Sequence, residues 1–396
     1  MKLKSYKSAR KMHSKNKKIT VEEQRLAKQI ENKLPTATWG PYLSERQWGT
    51  VREDYSMDGN AWAYFSHEQA RSRAYRWGED GLAGISDDQC QLCFAPAFWN
   101  GKDPILKERL FGLTNSEGNH GEDVKELYYY LDNTPTHSYM RYLYKYPQRE
   151  FPYGLLLNEN KKRSNLEEEF ELLDTGIFDD DKYFDIIITY AKIDTEDICI
   201  LIEVINRGQA TAPITVLPTL WYRKQWSPDL IKGKPDIHLQ KNAEGESSVC
   251  ASHPYIGQYY LYFDQSEQLL FTENETNNEM IFQISNETPF VKDTFHGAVI
   301  RNDFAIFKDK NSGTKFSSLY KVSIEPGGSS KFRLRISRKK DLQNPLGQAY
   351  DSAFANSKKE ADEFYSNILP ANISPEEALI ARQAYAGMLW NKQFYY

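Results

Sequence analysis

The sequence predicts a mainly β chain built around one large sandwich. Three observations carry that expectation. Apolar and polar residues alternate with period two in many segments from about residue 126 onward. Between those segments no long helical pattern intervenes, which argues for antiparallel sheets packed face to face. The chain is also rich in strand-favouring aromatics, with 26 Tyr, 20 Phe and 8 Trp among 396 residues.

In chain order, residues 1–35 read as a basic tail and a short polar helix. Residues 1–18 carry eight Lys/Arg and no Asp or Glu. No apolar stretch follows them, so they lack the form of a secretory signal and read as a solvated tail. From Trp39 to Trp99 the chain mixes aromatics, Arg, acids and Gly, as long ordered loops do. Ser86, followed by Asp87 and Asp88, has the chemistry of a helix start and predicts a helix through Phe98.

The strands come next. Tyr142, Tyr144 and Tyr146 alternate with Arg141, Leu143 and Lys145, and Phe184, Ile186, Ile188 and Tyr190 repeat the period. Ile198, Ile200, Ile202 and Val204 form another strand, ending at an Asn206-Arg207-Gly208 turn. Further strands are expected at 258–263, 280–284, 319–324 and 331–336. The last two are joined by Glu325-Pro326-Gly327-Gly328-Ser329, a hairpin signal.

Near residue 345 the period becomes helical. Phe354, Ala361, Phe364, Tyr365 and Ile368 share a stripe. Ser374-Pro375-Glu376-Glu377 opens a second helix with an N-cap, a proline at N1 and a capping-box Glu. Ala378, Ala381, Tyr385, Met388 and Leu389 are its expected apolar face. Such helices either lie against the sandwich or begin a helical domain.

A net charge of −5 advertises no large single-sign field, so nucleic acid is not an expected partner. Nothing approaches 18 consecutive apolar residues, so no membrane helix is expected. The four cysteines, without a signal peptide, fit a reduced cytoplasmic setting.

Two loop segments offer sugar-binding chemistry. Trp and Tyr rings cover the C–H faces of sugars, while Arg and carboxylates make charge-assisted bonds to hydroxyls. Arg46, Trp48, Arg52 and Tyr55 supply these groups in the first segment, and Trp77, Glu79 and Asp80 in the second. The competing reading is that Arg–carboxylate pairs pin these loops to a neighbouring domain, and spacing alone favours it.

Gly78 to Gly84 has the wrong spacing for a phosphate loop, and its acids would repel phosphate. Asn115 to Asp123 holds Glu117, His120, Glu122 and Asp123, but no metal-site spacing, so a polar glycine-bearing loop is the stronger reading. Cys90-x-x-Cys93 has apolar neighbours and no second pair, so buried helix cysteines are expected. No nucleophile elbow is present. No metal or other cofactor is called for.

Trp39-Gly-Pro-Tyr-Leu-Ser-Glu-Arg-Gln-Trp-Gly-Thr-Val-Arg-Glu-Asp-Tyr55 resembles the opening of bacterial and fungal proteins similar to glycoside hydrolase family 63. Trp77-Gly-Glu-Asp-Gly-Leu-Ala-Gly84 continues the likeness, and Lys107 to Lys125 is its most specific run. Thr134 to Met140, Asp174-Thr-Gly176, Leu217 to Trp221 and Gly387 to Tyr395 agree with it. Between Ile231 and Lys340 only the β character matches.

The resemblance implies a super-β-sandwich over residues 36–340. A linker helix and the first helices of an (α/α)6 barrel follow over 341–396, where the barrel looks truncated. It implies inverting, exo-acting α-glycosidases, among them glucosidases and mannosylglycerate or glucosylglycerate hydrolases. The expected ligand is therefore an α-linked glucoside or mannoside, bound through the complete enzyme. Such a reaction needs a general acid and a general base about 6.5–9.5 Å apart. In the family both lie in the barrel, supplied in cis or in trans, so no residue of this chain is assigned as catalytic. The alternative is a non-catalytic carbohydrate- or partner-binding module.

Overall fold

The computed structural model describes residues 18–31, 33, 35–43, 45, 47, 66–121, 123–226, 233–241, 247–392 and 394. Its strands are β1 (Trp39–Gly40), β2 (Ile85–Asp87), β3 (Leu92–Trp99), β4 (Gly112–Leu113), β5 (Asp123–Val124), β6 (Leu127–Asn133), β7 (Tyr139–Pro147), β8 (Tyr183–Asp194) and β9 (Asp197–Asn206). They continue with β10 (Ala212–Tyr222), β11 (Asp236–Lys241), β12 (Ser247–His253), β13 (Gly257–Phe263), β14 (Gln268–Thr272), β15 (Ser312–Gly313), β16 (Lys315–Ile324) and β17 (Ser329–Ser337). The α-helices are α1 (Val21–Ile30), α2 (His67–Ser72), α3 (Tyr153–Lys161), α4 (Asn278–Phe282), α5 (Thr294–Arg301), α6 (Gln348–Ile368) and α7 (Pro375–Trp390). None is long and apolar enough to cross a membrane.

Two large sheets face one another. One has the order β1-β2-β3-β10-β16-β14, the other β15-β11-β12-β13-β17-β9-β8-β7-β6. Every pairing within them is antiparallel. The alternation read from sequence sets the register. Tyr142, Tyr144, Tyr146, Phe184, Ile186, Ile188, Tyr190, Ile198, Ile200, Ile202 and Val204 all enter one buried core. Phe94, Phe98, Ile214, Val216, Phe316 and Tyr320 join it from the opposite sheet.

Four local expectations are corrected. The helix predicted for 88–98 is a turn followed by β3, which is buried on both faces and so shows no alternation. Asp87 does cap backbone donors, but those of a turn: its carboxylate accepts from the N–H groups of Gln89, Gln91 and Leu92. Pro96 fits β3 because it stands opposite Pro218 of β10, so two missing donors share one rung.

The strand predicted for 280–284 is α4 and the turn after it. Asn277 caps that helix and Asn286 Oδ1 accepts from Asn278 N–H. Its alternating apolar residues Met280, Phe282 and Ile284 lie exposed, away from both sheets.

The link at 325–328 is not a hairpin, since β16 and β17 belong to different sheets. It is a corner, with Gly327 at φ +67° and its N–H on Asn206 O. Asn206 Nδ2 also donates to Ile324 O, so this one side chain ties the two crossings between sheets.

Both terminal helices pack on the sandwich. Helix α6 covers the outer face of the nine-stranded sheet, where Tyr350 and Ala353 meet Ala191 and Cys199. Helix α7 closes the β6 edge through Trp390. That ring stacks on Tyr130 at 5.6 Å and donates to Asp132 O at 3.0 Å. The face predicted to be buried is only partly covered: Ala378, Ala381 and Leu389 are half-buried. Ala386 and Trp390 are the buried residues of α7, while Tyr385 and Met388 are exposed.

Candidate functional site

The chain between α2 and β2, residues 73–84, is laid over the outer side of the six-stranded sheet. Its three glycines permit that close approach. A Cβ on Gly81 would stand 2.6 Å from Ala95 Cβ, one on Gly78 2.7 Å from Gln47 Nε2, and one on Gly84 2.8 Å from Leu43 Cβ. Trp77 points outward with 37% of its surface exposed, whereas Glu79 and Asp80 point inward and are buried.

The inward acids enter a network of buried charges. Asp80 Oδ2 accepts from Arg109 Nε at 2.9 Å, and Glu79 Oε1 from Asn274 Nδ2 at 2.9 Å. Lys292 Nζ donates to the carbonyls of Ala70 and Arg73 and sits 4.0 Å over the Tyr75 ring. Lys315 Nζ donates to Glu108 Oε1 at 2.9 Å and to Lys292 O at 3.1 Å. Burial raises the pKa of Glu79, with Lys292 and Asn274 opposing the rise. Burial lowers Lys292 to about 8, partly offset by Glu79.

These side chains line a cavity of about 30 Å³. It has room for about one water molecule and none for a sugar ring. Among the described residues Asp80 Oδ1 and Asn274 Oδ1 have no hydrogen-bond partner, so the cavity presents acceptors to a single donor. The network's visible effect is mechanical: charge pairs fix the loop that carries Trp77.

Glu108 shows the strength of these pairs. Burial alone would raise its pKa, but Lys315 and Arg109 outweigh it and bring it to about 2. A depressed carboxylate stabilises the fold above its unfolded pKa and loses that contribution as pH falls. Its share, about 3 kcal/mol, is therefore complete above pH 4.5 and disappears toward pH 2. Acid unfolding of Glu108→Gln followed by circular dichroism should show reduced pH dependence across that window. An unchanged acid limb would show that the Lys315 pair contributes nothing.

Arg223 at the end of β10 supports the same loop. Its guanidinium donates to the carbonyl oxygens of Arg76, of Gln89 at 3.0 Å and of Cys90 at 2.7 Å. Cys90 and Cys93 are buried with their sulfurs 3.8 Å apart, at a turn and in β3 rather than on a helix. Burial pushes the Cys93 thiol well above its usual range, which leaves it protonated and unreactive.

The 115–123 loop makes polar contacts of its own. Glu117 accepts from Thr114 Oγ1, and His120 Nε2 donates to Glu167 O. Asp123 does gather with Glu169 and Glu171, two acids the sequence reading did not join to it. The Lys125 ammonium sits among all three, at 3.4, 2.7 and 3.0 Å. Arg46, Trp48, Arg52, Tyr55 and Glu122 lie outside the described residues.

Arg109, Glu108, Lys292, Lys315 and Asn274 were missed from the candidate site. Glu108 and Arg109 belong to the most specific run of the resemblance, which was their only signal. Lys292 and Lys315 come from the region where only β character matched.

No protein-family model matches the chain. It is 39% identical over 419 aligned residues to the uncharacterized protein YMR196W of Saccharomyces cerevisiae. The alignment takes in 95% of this chain and 38% of that protein, so the chain spans well under half its relative's length.

Solved structures with local likeness include a polysaccharide lyase (TM-score 0.30, 10% identity, 69% of this chain and 28% of that one). A putative aldose 1-epimerase from Escherichia coli K12 gives a TM-score of 0.27 at 6% identity, over 68% of this chain and 93% of that one. A putative kojibiose phosphorylase from the human microbiome gives 0.22 at 9% identity, over 52% and 21%. All three TM-scores fall below the level that marks a common fold.

Proposed function

We propose that this chain is the sandwich portion of an inverting, exo-acting α-glycosidase of the glucosidase or mannosyl/glucosylglycerate hydrolase type. In this reading the acid and base lie in a helical barrel, in cis or in trans. The 46–55 segment, with Arg46, Trp48, Arg52 and Tyr55, and the Trp77 loop wall one side of the sugar site.

The observation that carries the reading is the presentation of Trp77. Three glycine contacts, the Asp80–Arg109 pair and the Arg223 clamp brace its loop, and 37% of the Trp77 surface stays exposed. An aromatic face on a rigid support is what stacking against a sugar requires. Glu79 and Asp80 serve that support from inside and do not need to touch the sugar.

Trp77→Ala is expected to weaken binding of methyl α-glucoside, methyl α-mannoside or glucosylglycerate by about tenfold or more, with stability little changed. Calorimetric titration checks this. Equal affinity in the variant would remove Trp77 from the site.

The second reading, a carbohydrate- or partner-binding module without turnover, is favoured by one feature of α7. Ile380 (61% exposed), Ala384 and Met388 (78% exposed) form an outward stripe, with Leu379 and Tyr385 beside it. Such a stripe suits a packed helix, whether from a barrel or from a separate partner.

A further inference from the structure

The chain beyond α7 returns to the loop that carries Trp77. Phe394 O accepts from Gln47 Nε2 at 2.9 Å. The Phe394 ring lies 4.8 Å from the Arg223 guanidinium and packs against the cluster of Leu43, Cys90, Cys93, Ala95 and Trp221. Gln47 is the side chain on which Gly78 rests, and Arg223 is the side chain that holds Arg76 O. One residue thus engages both groups that fix the two neighbours of Trp77.

The other end of this connection is equally well held. Four residues earlier, Trp390 is locked onto Tyr130 and Asp132, and Arg382 pairs with Asp132 at 2.7 Å. Between the two anchors, Lys392 Nζ donates to His137 Nε2 at 2.9 Å. Only three residues separate Trp390 from Phe394 in sequence, so the two anchors are closely linked along the chain.

We infer that Phe394 is a positioning residue that couples α7 to the Trp77 loop. The carbonyl acts through Gln47 on Gly78, and the ring acts through Arg223 on Arg76. The functional meaning rests on the reading of Trp77 as a sugar-facing residue, but the mechanical coupling does not.

Hydrogen exchange on the whole chain, without sugar, tests the coupling directly. In Phe394→Ala, exchange across residues 74–83 should rise about tenfold or more, while the β3 amides of 92–99 keep their protection. Phe394→Tyr, which keeps the ring face, should restore the loop. Trp390→Ala should loosen the same loop from the far end of the connection.

Unchanged exchange at 74–83 in Phe394→Ala would overturn the inference. So would an equal rise in β3, because the residue would then be only part of the general core. Sugar affinity is measured separately, so failure of sugar binding would leave the coupling result standing.

Discussion

Replacing Lys107 with Met is expected to destabilise the fold by about 3–5 kcal/mol, because it leaves a buried carboxylate without its counter-charge. Lys107 and Glu126 are both fully enclosed, and the ammonium also donates to Tyr153 OH at 2.8 Å and lies 4.2 Å from the Phe151 ring. Burial lowers the lysine's pKa, but Glu126, Tyr153 and Asp103 outweigh it, and the net shift is upward. Glu126 accepts in addition from Tyr144 OH and Phe111 N–H, so the pair joins β7 to the 107–126 segment. Urea unfolding reads the loss as a shift in midpoint at constant slope. Converting both partners, Lys107→Met with Glu126→Gln, should recover a large part of it. A loss below about 1 kcal/mol in the single variant would mean that water reaches the pair.

Trp390→Ala is the second large effect, at about 3–5 kcal/mol. The indole is 1% exposed and meets Tyr130, Tyr142 and Tyr190, and its N–H serves Asp132 O. Its removal opens a cavity under α7 and uncovers β6, which lies at the edge of the nine-stranded sheet. Reduced amide protection along α7, together with a lower thermal midpoint, is the expected signature. An α7 that keeps its protection would show that Ala386 and the Arg382–Asp132 pair suffice to hold it.

Strands that are buried on one face and alternate in composition were legible residue by residue. Tyr142, Tyr144 and Tyr146 occupy the inward positions that their spacing predicts. The failures have physical causes. Strand β3 is covered on both sides, so period two vanished and the capping chemistry of Asp87 looked like a helix start.

Pro326-Gly327 marks a tight turn whether the chain pairs back on itself or crosses between sheets, so local sequence cannot separate a hairpin from a corner. Helix α7 is apolar on more than one side, and the stripe through Ala378, Ala381, Tyr385, Met388 and Leu389 was taken for its buried face. In the structure Ala386 and Trp390 face inward into the sandwich core, where the Trp390 ring stacks on Tyr130 of β6.

The site divides along the same line. Trp77, Glu79 and Asp80 were picked out by residue type, and the structure separates them into one outward ring and two inward charges. Their partners Arg109, Asn274 and Lys292 lie about 30 to 210 positions away in sequence. Pairings over such distances are set by topology, which no local spacing encodes. Sequence separation also gave no way to see that Lys125 would bridge the acids gathered around Asp123.

The central claim is that this chain builds one wall of a sugar site whose acid and base lie in a helical domain. Its most direct measurement is hydrolysis of α-glucosides, α-mannosides and glucosylglycerate, with anomeric configuration followed by NMR. The purified chain is assayed alone and then with a polypeptide covering the remaining length of the longer relative. The account predicts no turnover by the chain alone, and turnover with inversion when the two are combined. Turnover by the chain alone, or retention of configuration by the pair, would contradict it.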